Sequence, residues 1–469
     1  MYIRVLIIIL FFFSNFVFAQ NNEEKKEVFN FSIFRQNENY EYLKHKEKNS
    51  FEEDFFDPIK FIPLNQKKDI YLSLGGQVRP RFEHYTNRLW IGEEDQNFYS
   101  QRLAFHSNLV LGKYIRIFGE LYHGYTSHEE EFAEYDEADL HQAFIDFKLP
   151  LKNKTSILFR FGRQEMSYGA SRLVGLREGP NIRRAFDAGR LIFEQGQTKI
   201  QAFYGNEVRA NFEAFDNDFT LFDSNTSNPK LWGVYSKFKI KGLIGNNEVY
   251  YLGFKSDNSR FNDVEGEETR HNIGLRRFGI VNGRWQYNTE VIYQFGEIDD
   301  SNISAFDIET DWHYLIDGPW KPKPGIKLQY TSGDKDTGDD KINTFNPMFV
   351  NPSYYSLALT ITPVNIIGVH PSINVSPTEK LNLYGEWAFF WRASKEDVLY
   401  RPPRFINRSA NGVSDRSIGN QLGFKASYEI NRHLSFDLDM SYFIAGDFQK
   451  ATGNAENIFH FAPTLSYKF

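Results

Sequence analysis

The chain has 469 residues, of which 17% are aromatic, including 46 phenylalanines and 26 tyrosines, and its net charge is −7. Its mean hydropathy of −0.51 shows that this aromatic-rich sequence is polar on average. Beyond the N-terminus, no segment has the apolar length that a membrane-spanning helix needs, so a helical membrane protein is excluded. The modest net charge favours no particular partner, and we expect no nucleic acid.

The first nineteen residues have the features of a secretory signal. Arg4 is the single early charge, Val5–Phe13 is apolar, and the segment ends in Val17-Phe18-Ala19. The apolar run is shorter than the roughly 20 residues of an uncleaved membrane helix. We therefore expect residues 1–19 to be a signal peptide. The chain has no cysteine, so we expect an exported protein without a lipoprotein anchor.

Residues 20–69 mix charges with aromatic residues. The charge clusters lie at Glu23–Lys26, Lys44–Lys48 and Glu52–Asp54. The apolar side chains Phe55, Phe56, Phe61 and Ile62 would be exposed in a free segment. We expect a periplasmic N-terminal arm that docks under or inside the rest of the protein and can act as its plug.

From Ile70 onward, apolar and polar residues alternate with a period of two. The clearest runs are Ile70–Tyr85, Leu103–Leu111, Trp285–Phe295, Phe306–Tyr314, Leu434–Ile444 and Ile458–Phe469. Such runs match membrane-spanning strands of about 9–11 residues rather than soluble strands of about 5–6. An exposed apolar strand face is an aggregation hazard in water, whereas in a membrane it contacts lipid. A secreted β-sandwich or propeller is the alternative.

Connections alternate between short turns, such as Gly112–Tyr114, and long polar loops, as in outer-membrane barrels. The predicted loops are Thr86–Ser100, Thr126–Glu137, Glu165–Ala188, Arg209–Pro229, Ser256–Glu268, Glu297–Asn302, Gly333–Pro363, Ser394–Arg416 and Asp447–Ala455. We place Tyr354–Thr362 in a loop, because an extra strand would make the count odd. The sequence thus predicts an all-β protein. Residues 70–469 form a single closed antiparallel barrel of about eighteen strands in the bacterial outer membrane.

An arginine run without lysine lies between Ile157 and Glu194. Together with arginines on polar strand faces, it supplies the candidate pore residues Arg79, Arg81, Arg102, Arg160, Arg163, Arg172, Arg177, Arg183, Arg184 and Arg190. Arg160 is expected to point into the lumen. Arg163 has the opposite phase, so an inward position requires a bulge or the strand's end.

Two interpretations of these arginines stay open. Arginine binds carboxylates through a rigid fork of donors and stays charged, so an arginine-lined lumen favours an anionic solute. Alternatively, the arginines form salt bridges that brace the barrel. The candidate acidic partners are Glu83, Glu120, Asp146, Glu290, Asp307 and Glu309.

Metal and catalytic signals are weak. Ser332–Asp340 concentrates carboxylates and glycines, which makes Asp334, Asp336, Asp339 and Asp340 a calcium candidate, although EF-hand spacing is absent. A solvated turn at the pore mouth is the default interpretation. The sequence has neither HExxH nor GxSxG. We therefore expect no enzyme activity and no cofactor.

Several stretches carry a resemblance to a known family. They are Phe31–Arg35, Tyr42–Lys44, Lys60–Leu64, Tyr71–Gly76, Asp139–Phe144, Arg160–Glu165, Arg172–Asn181, Phe186-Asp187 and Ser332–Asp340. In these motifs the chain resembles alginate export family barrels. The resemblance implies an eighteen-stranded barrel whose arginine-lined pore passes an acidic polysaccharide. The family's alginate exporters carry a plugging segment in a periplasmic turn near the C-terminus, where this chain has only Asn431-Arg432.

We therefore expect an outer-membrane channel that passively conducts an anionic solute, such as alginate or another acidic polysaccharide or oligosaccharide. The alternatives are a general or nutrient-uptake porin with structural lumen charges, and an adhesin-like barrel with a blocked lumen. The expected partners are outer-membrane lipid, the solute, and periplasmic export or uptake proteins.

Overall fold

The computed structural model describes residues 31–48, 52–92, 95–127 and 133–469. The predicted signal peptide and the first part of the N-terminal arm lie outside these ranges. Eighteen antiparallel strands close into one barrel, which confirms the predicted fold. The strands are β1 (Ile70–Tyr85), β2 (Gln96–Leu111), β3 (Ile115–Thr126), β4 (Asp136–Pro150), β5 (Thr155–Gln164), β6 (Phe186–Gln195), β7 (Thr198–Glu207), β8 (Lys230–Phe238), β9 (Asn246–Phe261), β10 (Val264–Val281), β11 (Trp285–Ile298), β12 (Ser301–Tyr314), β13 (Lys323–Thr331), β14 (Ile366–Val375), β15 (Leu381–Arg392), β16 (Ser417–Glu429), β17 (Leu434–Ala445) and β18 (Ile458–Lys468).

Each strand pairs with the next one along the chain, and β18 returns to pair with β1. At this seam Tyr85 lies opposite His460, and Gln77 lies opposite Lys468. The C-terminal Phe469 extends the pairing, because its amide donates to the Gly76 carbonyl at 3.1 Å. Closure leaves no strand edge, so the backbone groups of the wall are satisfied without water.

The two faces of the wall differ as the alternation predicts. Phe105 and Leu191 are exposed on the outer face, whereas Arg102 and Glu290 are buried inside. A soluble barrel would reverse this arrangement, with its apolar side chains inside. The observed faces suit lipid outside and a polar lumen.

The remaining regular elements are short. The helices are α1 (Asp57–Lys60) and α2 (Asp447–Thr452), and 3₁₀ turns span Arg35–Asn37, Glu41–Lys48, Arg88–Trp90 and Pro352–Tyr354. Short strands are Ile62–Pro63, Lys341–Ile342, Leu399–Arg401 and Phe405–Arg408. Among the described residues, no helix is long and apolar enough to cross a membrane.

Two predicted long loops are instead strand hairpins. β9 and β10 extend until only Asn262-Asp263 separates them, so most of Ser256–Glu268 is strand. Similarly, β11 and β12 are joined by Asp299-Asp300 within the predicted loop Glu297–Asn302. Both segments are polar because the hairpins rise beyond the lipid-facing band, where no apolar face is required. The sequences of these two hairpins are therefore typical of loops, although their strands remain paired.

Candidate functional site

Two loops fold into the barrel and meet inside it. The crossing loop, residues 165–185, connects β5 to β6, and the inner loop, residues 332–365, connects β13 to β14. The Gly175 amide donates to the Phe349 carbonyl at 2.9 Å, and the Phe349 amide donates to Leu173 at 2.8 Å. The segment Tyr354–Thr362 lies in the inner loop and adds no barrel strand, as predicted. An eighteen-stranded barrel is too wide for wall side chains alone to fill, and these loops occupy the space.

Three predicted pore arginines hold the crossing loop against β1 and β2. Arg79 donates to the Glu178 carbonyl at 2.7 Å, and Arg81 donates to the Gly179 carbonyl at 2.9 Å. Arg102 Nη1 lies 3.0 Å from Glu178 Oε1. Their guanidinium groups therefore contact the loop and act as anchors for it.

Arg172 connects the crossing loop to the other side of the barrel wall. It lies 3.3 Å from Glu290 on β11 and 3.1 Å from Glu309 on β12. Burial alone would favour the neutral guanidine, but Glu309 and Glu290 keep the pKa of Arg172 well above its usual range. The crossing loop is thus charge-paired to both sides of the lumen.

The last part of the crossing loop is also paired. Arg183 Nε lies 2.9 Å from Glu178 and 3.1 Å from Glu165. Arg184 lies 2.8 Å from Glu207 and donates to the Phe349 carbonyl of the inner loop.

Glu178 is the acidic centre of these contacts. Burial would raise its pKa, but Arg102, Arg183 and Arg79 hold the pKa at about 2. Arg177 donates to the nearby Ile182 carbonyl at 3.0 Å. Sequence reasoning singled out the arginines but missed Glu178 as their shared partner, because only the fold brings β1 and β2 to this loop.

Arg163 has the outward strand phase, in contrast to the pore-lining position predicted for it. It shares the phase of the outward Phe159, and its guanidinium bonds Asp187 on the outer face of β6. Carbonyls of Asn217 and Asp218 also accept from it. The neighbouring Gly162 has φ +128°, but this local distortion does not turn Arg163 inward.

Arg160 and Arg190 line a cavity of about 1130 Å³ in the periplasmic half of the lumen. Arg160 binds Asp146 bidentately at 2.7 and 3.0 Å. Arg190 donates to Gln164 at 3.2 Å and to Gln201 at 2.5 Å. Within the described part of the chain, Arg190 has no carboxylate at ion-pair distance. It is therefore a cavity-lining arginine whose positive charge is not neutralised by a direct pair.

The described part of the N-terminal arm enters the periplasmic end of the barrel. Arg35 donates to the Gly76 carbonyl at 3.2 Å and to the C-terminal Phe469 at 2.9 Å. The Ile33 carbonyl accepts from Arg183 at 2.9 Å, so the arm touches the crossing loop. Burial and the charge of Arg35 lower the pKa of Lys60 to about 7.

The four aspartates proposed as a calcium site are not gathered. Asp334 is buried and accepts from the Asn343 amide, whereas Asp336, Asp339 and Asp340 are exposed. Across the described ranges, the group of possible metal ligands within 4.8 Å of one another is Glu120, His141 and Glu165. Arg183 already pairs with Glu165, and Gln142 donates to Glu120 at 2.7 Å, so each of these carboxylates has a protein partner.

Comparison with known proteins decides the family. A family model described as alginate export matches residues 70–462. The chain belongs to the alginate export family. Comparison with curated proteins finds no significant match.

Several solved structures are similar to this chain in fold. A structure of Pseudomonas aeruginosa OccK2 (OpdF) in complex with glucuronate has 13% identity and a TM-score of 0.54, covering 85% of this chain and 98% of that chain. P. aeruginosa OccK9 (OpdG) has 11% identity and a TM-score of 0.55, covering 85% and 98%. A BenF-like porin from Pseudomonas fluorescens Pf-5 has 11% identity and a TM-score of 0.54, with the same coverage. The family and this fold identify an outer-membrane channel of bacteria.

Proposed function

We propose that this alginate export family channel passively conducts an anionic carbohydrate, with a uronate-type oligosaccharide or polysaccharide as its solute. The observation that carries the proposal is Arg190. It faces the periplasmic cavity and bonds the neutral side-chain oxygens of Gln164 and Gln201. A guanidinium held by amides keeps its charge available to a carboxylate.

The composition of the cavity supports a sugar ligand. Gln201 and Asn108 provide amide groups beside Arg160 and Arg190, and Tyr71 adds an aromatic surface. Such a mixture can bind hydroxyl groups while Arg190 selects a carboxylate. The family description and the glucuronate complex of the similar OccK2 barrel agree with a carboxylated sugar.

A general or nutrient-uptake porin is the second candidate. It is favoured by the pairing of Arg102, Arg172 and Arg183 with Glu178, Glu290, Glu309 and Glu165. In that case the lumen charges are structural, and the channel passes small ions of both signs. The proposals differ in whether removing a single lumen charge alters ion selectivity.

Ion selectivity tests the proposal directly. The reversal potential of the purified channel is measured in a salt gradient across a planar bilayer, for the native chain and for Arg190→Gln. We expect anion selectivity that falls in Arg190→Gln. Arg260→Gln is the matched control, because Arg260 lies in the outer hairpin with a side chain 64% exposed. Equal selectivity of all three proteins would favour the general porin.

A further inference from the structure

A polar row crosses the outer face of the barrel at the extracellular ends of β5 to β8. Strand register places Arg163 beside Asp187, Asp187 beside Asn206, and Asn206 beside Lys230. These positions have the outward phase of the wall. Arg163, Asp187 and Asn206 are nevertheless buried, so another part of the chain covers this row.

The loop between β7 and β8 supplies that cover. We call residues 208–229 the outer flap. The Asp218 carbonyl accepts from Arg163 at 2.7 Å, and the Thr220 amide donates to Asp187 at 2.8 Å. The Thr220 carbonyl accepts from Asn206 at 2.6 Å. The flap therefore folds outward over the wall, in contrast to the crossing loop, which folds inward.

The flap carries phenylalanines down to the lipid-facing surface. The rings of Phe219 and Phe222 lie 5.9 and 5.7 Å from that of Phe161. Phe161 belongs to the next outward row, beside Ile145 and Gly189. The flap aromatics are thus continuous with side chains that face lipid.

The free surface of the flap is apolar. Phe215 and Phe222 are 66% and 79% exposed, and Phe212 and Phe219 are also exposed. Four exposed phenylalanines in one loop are costly in water. In outer-membrane barrels, aromatic side chains at the edge of the lipid-facing band contact the interface.

We propose that the outer flap is a lipid-contacting element that embeds its phenylalanines in the outer leaflet and shields the Arg163–Asp187 pair from the acyl chains. The flap contacts bilayer lipid in this proposal, because its phenylalanine rings continue the lipid-facing surface that begins at Phe161. Arg163 is then a structural residue of the outer wall.

Site-directed spin labelling tests this proposal, and the absence of native cysteine makes single-cysteine variants directly usable. Nitroxides are attached to Phe215→Cys and Phe222→Cys in the full barrel, reconstituted in phosphatidylcholine–phosphatidylglycerol vesicles. Their collision rates with oxygen and with a water-soluble nickel complex are compared. Leu191→Cys on the wall is the lipid control, and Asp336→Cys, at an exposed position of the inner loop, is the water control.

The proposal predicts that both flap labels favour oxygen over nickel, as Leu191→Cys does. Labels that favour nickel, as at Asp336→Cys, would overturn it and make the flap an ordinary aqueous loop. Labels shielded from both colliders and showing spin–spin coupling would also overturn it, since the flap would then join two copies of the barrel. Both phenylalanines are exposed, so the substitutions do not remove buried packing.

Discussion

Arg102 on β2 and Glu178 in the crossing loop form an ion pair of 3.0 Å inside the barrel. The arginine side chain is fully buried, and its Nε also donates to the Asn181 carbonyl at 2.6 Å. The pair therefore links the wall to a loop that lies across the lumen. Because this loop crosses the lumen, Glu178 is the first position to test for gating.

Replacement of Glu178 by glutamine should release the crossing loop. The change removes the carboxylate shared by Arg102 and Arg183, and breaking a buried pair costs up to about 3–5 kcal/mol. The cost is smaller here because the Glu178 side chain is 35% exposed. We expect single-channel conductance or open probability to rise several-fold. Glu265→Gln, in an exposed pair with Arg260, should leave both unchanged. No change in Glu178→Gln would show that this anchor does not limit the pore.

The contact between Glu134 and the crossing loop should make the stability of the protein depend on pH. Glu134 accepts from the Asn181 amide at 3.0 Å, and burial together with the charge of Glu83 raises its pKa to about 7. A raised carboxyl pKa stabilises the folded state at low pH, and this stabilisation is lost as pH rises through about 7. We expect the apparent Tm to fall between pH 5 and pH 8.

Glu134→Gln isolates this effect, because the glutamine oxygen can still accept from Asn181 but does not ionise. The pH-dependent part of the native Tm, corresponding to about 1–3 kcal/mol, should be reduced in this variant. Parallel pH profiles for the two proteins would assign the dependence to other groups.

Phe349 should stabilise the meeting point of the two inward loops. Its ring packs edge-on against Phe186 at 5.1 Å and against Phe254 at 5.6 Å. Phe349→Ala leaves a cavity and should destabilise the barrel by about 3–5 kcal/mol, seen as a lower apparent Tm and a larger conductance. Phe55→Ala is the control, since Phe55 is 88% exposed and its removal creates no cavity.

The N-terminal arm should restrict the periplasmic end of the lumen. Deletion of residues 21–53 removes Arg35 and the segment that lines the cavity, so single-channel conductance should increase. Arg35→Ala should give a smaller increase by releasing Phe469 and Gly76. Lys67→Ala, at an exposed position of the same arm, should have no effect. Unchanged conductance after the deletion would contradict a plugging role.

The strand pattern of this barrel was predictable because lipid imposes it directly on every second residue. Ile70–Tyr85 alternates over its full length, and the structure forms β1 from those residues. The rule weakens where lipid ends, so the polar hairpin around Asn262 resembles a loop in sequence. Arg163 was predicted to line the pore although its phase is outward, and the fold keeps the outward phase.

The chemistry of the lumen was less predictable than its wall. Arg172 is separated from Glu290 and Glu309 by more than one hundred positions, and they meet because the crossing loop spans the barrel. No local sequence pattern predicts that this loop folds across the lumen. The sequence therefore indicated an arginine-rich interior without distinguishing loop anchors from Arg190, whose partners are amides.

The most direct test of the anionic-carbohydrate channel is block of single-channel current by oligosaccharides. Current through the purified protein in a planar bilayer is titrated with alginate oligomers and with neutral oligomers of equal length. We expect concentration-dependent block by the uronate oligomers, little block by the neutral ones, and weaker uronate block in Arg190→Gln. Equal block by both sugars, or block by neither, would contradict the proposal.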